Sequence, residues 1–92
     1  DVIHARIDSG VVFLKTGDGE EYTTALSLQE LEERVPEGAF FRANRQELFR
    51  LAEVQAWSSA GDGGYEVTLT SGARIDVSRR RGRFFKHAVR AE

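Results

Sequence analysis

The chain contains no cysteine and no methionine, and its single proline is Pro36. Without thiols there is no disulfide frame to stand in for a hydrophobic core, and no thiolate metal site. The same absence fits a reducing cytoplasm, the compartment expected for this chain. No apolar run approaches the ~20 residues that cross a bilayer, and no basic-then-apolar start resembles a secretory leader, so no membrane contact is expected. A surplus of one charge is also missing: 13 Lys and Arg stand against 15 Asp and Glu, a formal net charge of −2. The chain opens on Asp1 rather than methionine, and is therefore expected to be a piece of a longer protein.

Ninety-two residues, 40% hydrophobic and 30% charged, are enough for one ordinary globular domain with one core. The near-neutral sum hides an uneven distribution. Residues 1–36 hold eight acids but only Arg6, Lys15 and Arg34 as bases, whereas residues 74–90 hold Arg74, Arg79, Arg80, Arg81, Arg83, Lys86 and Arg90 against the lone acid Asp76. A basic end of this kind presents a local positive field, which is what a phosphate backbone responds to. A solvated basic helix face is the alternative that charge alone leaves open.

Hydrophobic periodicity predicts a mainly β domain. Val2–Asp8, Val11–Thr16 and Glu20–Ala25, separated by Ser9-Gly10 and Gly17-Asp18-Gly19, read as an antiparallel meander. Ser27-Leu28-Gln29-Glu30 is a capping box that opens a short helix with Leu28, Leu31 and Val35 on one face, closed by Pro36 and Gly38. Ala39–Ala43 reads as a buried strand with Arg42 protruding, and Asn44–Glu47 as a polar loop or a single helical turn. Leu51–Trp57 alternates as one strand, with Trp57 in the core or at a sheet edge. Tyr65–Thr70 and Ala73–Val77 follow as two more, joined at Ser71-Gly72. Ser78 is a plausible N-cap for a closing helix from Arg79 to about Val89, with Phe84, Phe85 and Val89 docking on the sheets and Gly82 weakening it by ~1 kcal/mol relative to alanine.

A catalytic constellation is not visible. Gly61-Asp62-Gly63-Gly64 lacks the lysine and following helix of a nucleotide loop. His4 and His87 have no ligand set at metal spacing. Ser78 has no evident activating base, and Glu30, Glu32 and Glu33 read as solvated helix surface. No enzyme activity, cofactor or metal is expected.

The order of features resembles the LytTR family of bacterial DNA-binding domains. Thr23–Glu32, with its Ser-Leu-x-Glu-Leu helix start, is similar to the family's strand-to-helix segment. Val35-Pro36-Glu37-Gly38-Ala39-Phe40-Phe41-Arg42-Ala43-Asn44-Arg45 resembles its proline-then-Phe-x-Arg-x-His-Arg stretch. Val67–Arg80 resembles its closing hairpin and Val-Ser-Arg-Arg helix start. The resemblance covers nearly the whole chain in order. It implies an elongated stack of small antiparallel β-sheets with short peripheral helices, and a transcription regulator's output domain that reads promoter repeats in double-stranded DNA through interstrand loops. It further implies that the chain is the C-terminal part of a longer regulator, with any homodimer formed through an upstream domain.

Carried over residue by residue, the resemblance assigns one contact loop to Asn44, Arg45 and Gln46 and another to Arg79 and Arg80. The Ser9-Gly10 turn lies near a third contact region but offers no long side chain. A guanidinium fork matches O6 and N7 of guanine, and a carboxamide matches adenine. Arg45 and Arg80 are thus expected to read bases, assisted by Asn44 or Gln46. Arg42, Arg79, Arg81, Arg83 and Lys86 are expected to hold phosphates; for Arg45 the competing expectation is an ion pair with Glu47 or Glu53. Asn44 stands where the family commonly has histidine, Gln46 where it has serine, and Arg50 where it has asparagine; Glu47 adds a negative charge beside the loop. These departures bear on affinity and target sequence rather than fold. Two other readings use the same fold without DNA: a module whose loops meet an acidic protein, and a structural β-domain of a larger sensor or enzyme.

Overall fold

Residues 1–90 are described by a computed structural model. Strand β1 (Val2–Asp8) turns through Ser9 and Gly10 into β2 (Val11–Thr16), and β3 (Glu21–Thr24) completes the meander. Both turn residues have positive φ, 52° and 80°, the combination that lets a two-residue loop follow the twist of its strands. Helix α1 (Leu28–Arg34) opens with the expected capping box: the Glu30 amide donates to Ser27 Oγ at 3.1 Å and the Ser27 amide to the Glu30 carboxylate at 2.9 Å.

Beyond α1 the chain forms β4 (Phe40–Asn44) and β5 (Glu47–Arg50), then a 3₁₀ turn over Leu51–Glu53, then β6 (Val54–Ser59), β7 (Tyr65–Leu69), β8 (Arg74–Val77) and helix α2 (Arg79–Arg90). All strand pairs are antiparallel. One sheet has the order β3-β2-β1-β5-β4 and the other β6-β7-β8. Of the two readings of Asn44–Glu47, the structure has the polar loop, as the tight end of the β4–β5 hairpin, and not the helical turn. The expectation of one strand over Leu51–Trp57 is corrected: the 3₁₀ turn carries the chain from the first sheet to the second, leaving Val54 onward as the strand. The alternation that suggested a continuous strand came from Leu51, buried in the turn itself.

The sheets lie side by side, and β8 meets β4 at their edges: the Ser78 amide donates to the Ala43 carbonyl at 3.0 Å, and Asn44 Nδ2 to the Asp76 carbonyl at 2.6 Å. The molecule extends 34 × 24 × 23 Å. A smaller core, with Ala5, Val12, Leu28 and Leu48, lies under α1. The larger core is closed by α2. Its Phe85 is fully buried, with ring centroids 5.4–6.2 Å from those of Phe41, Phe49, Trp57 and Tyr65. Edge and tilted contacts of this kind add to the apolar area buried. Helix α2 is therefore peripheral in position but central to the core. Phe84 does not dock as expected; it is 54% exposed and lies beneath the Arg81 guanidinium.

Gly82 has a packing role that its low helix propensity conceals. A Cβ built there would stand 1.9 Å from the Gly63 carbonyl oxygen, so only glycine lets the β6–β7 loop lie against α2. Phe85→Ala should reduce unfolding free energy by about 3–5 kcal/mol. Gly82→Ala should destabilise as well, although alanine is the better helix former by ~1 kcal/mol. Urea melts of the two variants check both outcomes; an alanine variant at 82 as stable as its parent would show that the loop does not press on the helix.

Candidate nucleic-acid interface

The β4–β5 hairpin leaves two residues, Arg45 and Gln46, at its tip, both exposed. The tip is held by its neighbours' side chains. Asn44 Oδ1 accepts the Gln46 amide at 2.8 Å, while Asn44 Nδ2 donates to the Asp76 carbonyl and, at 3.1 Å, to Glu47. Both ends of the Asn44 carboxamide are thus engaged within the protein. Arg42 is likewise committed: Nε donates to the Asn44 carbonyl at 2.8 Å, one terminal nitrogen to the Arg45 carbonyl at 2.9 Å, and the other to Glu32 of α1 at 2.6 Å.

The start of α2 approaches the hairpin from the second sheet. Arg81 Nε donates to the Arg42 carbonyl at 3.0 Å, and its guanidinium lies 4.9 Å and 5.0 Å from the Phe41 and Phe84 ring centroids. At Ser78 the cap bonds are made by the backbone, whose carbonyl accepts the Arg81 amide at 3.0 Å. Between hairpin and helix lies an open cleft of about 770 Å³, lined by Arg42, Asn44, Arg45, Gln46, Ser78, Arg80 and Arg81. Four of the seven are arginines and none is a carboxylate.

The sequence-predicted residues therefore divide. Arg42, Asn44, Arg45, Gln46, Arg80 and Arg81 share the cleft, while Arg79, Arg83 and Lys86 do not line it. At about 100° per residue these last three form one stripe, with Arg80 turned about 100° from Arg79 toward the hairpin. Among the described residues, Arg45, Arg79, Arg80, Arg83 and Lys86 make no ion pair with a carboxylate. The rivals for Arg45 are occupied elsewhere: Glu53 accepts from the Thr70 hydroxyl at 2.5 Å, and Glu47 faces His4 Nε2 at 3.2 Å.

Two contributors escaped the sequence. Glu32, read as solvated surface, is the counter-charge of Arg42, and His4 engages one oxygen of Glu47 while Asn44 engages the other. His4 and Glu47 lie 43 positions apart, Glu32 and Arg42 10 positions apart across the turn between α1 and β4, and no local pattern announces either pair. Among the described residues no three His or carboxylate groups converge as a metal site would need, and no helix is long and apolar enough to cross a membrane.

An antiparallel β frame lines an open cleft with arginines and carboxamides and no carboxylate, a lining complementary in charge to a polyanion. The chain belongs to the LytTr DNA-binding domain family, whose model matches residues 1–90. It is 35% identical over 78 residues to the transcriptional regulatory protein BtsR of Escherichia coli K12, and 33% identical over 78 residues to that of Salmonella typhi. These matches take in 85% of this chain but 31% of the relatives' length. In fold it is similar to a solved LytTr DNA-binding domain from Bacillus cereus, with a TM-score of 0.88, 19% identity, and coverage of 96% of this chain and 80% of that one.

The Glu47 carboxyl is held below its ordinary value, chiefly by the hydrogen bond from His4, with Asn44 adding to the effect and partial burial opposing it. A depressed folded-state pKa contributes stability above the unfolded pKa, and that contribution is lost as pH falls through the folded value. Thermal melts across a series from about pH 6 to about pH 3 should show Glu47→Gln losing less stability on acidification than the parent, because the variant has no carboxylate to protonate. Identical acid dependence in the two proteins would mean that the His4–Glu47 contact is absent in solution.

Proposed function

We propose that this domain reads double-stranded DNA in a sequence-specific way for transcription regulation, with Arg45, Gln46 and Arg80 as its base-reading side chains. The observation that carries this reading is the shared cleft: exposed donors from the β4–β5 hairpin and from the first turn of α2 face one open space with no carboxylate in its lining. Guanidinium forks suit guanine O6 and N7, and the Gln46 carboxamide suits adenine N6 and N7. The 34 Å long axis is also comparable with one turn of B-DNA, ~34 Å.

Asn44 takes a supporting part in this proposal, since its carboxamide is spent on the loop and on β8. Arg79, Arg83 and Lys86 serve as phosphate contacts flanking the cleft, where a duplex lying across the start of α2 would run beside their stripe. Arg81, stacked between two phenylalanine rings, keeps its terminal nitrogens for a phosphate at the cleft wall. A duplex with a bound phosphate near the α2 N-terminus would gain from the helix dipole as well. Within a longer protein of the kind its relatives represent, this chain would be the DNA-contacting part, acting on promoter repeats.

Arg45→Ala and Arg80→Ala should each weaken binding to a duplex selected by the parent domain by ~1–3 kcal/mol and relax the choice of base at one position. Lys86→Ala should weaken selected and random duplexes alike and reduce the slope of log K against log salt by ~0.9. Fluorescence anisotropy titrations at several salt concentrations measure all three. Undiminished binding by Arg80→Ala would remove that residue from the reading surface, and salt-independent binding by the parent would remove DNA.

A further inference from the structure

We propose that Glu32 and Arg42 form a strut that sets the shape of the reading hairpin, making Arg42 a positioning residue for the cleft rather than a phosphate contact. The inference rests on the DNA-binding reading for its functional consequence, but the strut itself belongs to the free protein. Three of the five guanidinium donors of Arg42 point inward: to the Asn44 carbonyl, to the Arg45 carbonyl and to Glu32 Oε1. The two carbonyls belong to the consecutive peptides on either side of Arg45, so a planar fork bonded to both fixes the direction in which Arg45 and Gln46 leave the sheet. Lysine, with one ammonium on a flexible stem, cannot span them and Glu32 together.

Glu32 gives the argument its sign. Its carboxylate lies at the border of a surface proposed to take up phosphates, where a negative charge repels the ligand. It is also the acid that orients the Arg42 fork from α1, at 2.6 Å with the Arg42 side chain one-quarter exposed and that of Glu32 38% exposed. The Arg42 carbonyl in turn accepts from Arg81 Nε, so one residue links α1, the hairpin and α2. Specific recognition requires the two reading elements to keep a fixed separation, and Arg42 touches both.

The test uses Glu32→Gln and Arg42→Lys in the whole chain, with circular dichroism melts to establish that both are folded at the assay temperature. Binding is measured to a duplex enriched from a random pool by the parent protein and to random-sequence duplex. The strut predicts that each variant loses about tenfold in the ratio of selected to random affinity. It also predicts that the double variant is no worse than either single one, because the two residues act as a unit. A phosphate-contact role for Arg42 predicts the reverse: Glu32→Gln binds both duplexes equally well or more tightly, and Arg42→Lys keeps the ratio. That result would overturn the proposal.

A second measurement needs no DNA. Hydrogen exchange at the Gln46 amide, bonded to Asn44 Oδ1, should quicken in both variants. Unchanged Gln46 exchange overturns the strut, whereas quickened exchange in a protein whose parent ignores duplex DNA upholds the strut and rejects the DNA reading.

Discussion

The burial of Phe85 among rings supplied by both sheets is the contact on which the remaining architecture depends. Phe41 and Phe49 belong to the five-stranded sheet, Trp57 and Tyr65 to the three-stranded one. A single side chain of α2 thus adds to the coupling of two sheets that also share a buried core and meet along the β4–β8 edge. Because Phe85 lies little more than one helical turn beyond Arg80, the same anchoring fixes the start of α2 against the β4–β5 hairpin. The cleft is a by-product of core packing, which sets the spacing of its two walls.

Electrostatics complete what packing begins. A chain with net charge −2 has to keep its acids away from any surface meant for a polyanion. Here two acids near the hairpin are engaged individually: Glu47 by hydrogen bonds with His4 and Asn44, Glu32 by an ion pair with Arg42. The lining of the cleft itself holds arginines and no carboxylate. The cleft is basic through pairing of its acidic neighbours, not through an excess of charge in the molecule.

Much of this was legible before any coordinates. The strands, the capping box, the closing helix and the grouping of Arg45, Gln46 and Arg80 follow from periodicity, turn chemistry and the LytTR resemblance. The failures have identifiable causes. The 3₁₀ turn at Leu51–Glu53 escaped because a buried leucine in a turn mimics the alternation of a strand. For Asn44 and Arg42, sequence does not disclose that the carbonyls of 44, 45 and 76 accept from their side chains even as both line the cleft. Phe84 looked like core because apolarity was read without knowing that Arg81 would cover its ring. Gly82 looked like a weakness, when the loop at Gly63 makes it a requirement.

The order of elements along the chain has a bearing on synthesis. Since α2 follows the strands and contributes both Phe85 and Arg80, a ribosome that has emitted only the strands has made neither a sealed core nor a complete cleft. A packed core and a two-walled cleft are thus acquired together, once α2 has emerged. A product that stops before α2 would be poorly packed and exposed to proteases.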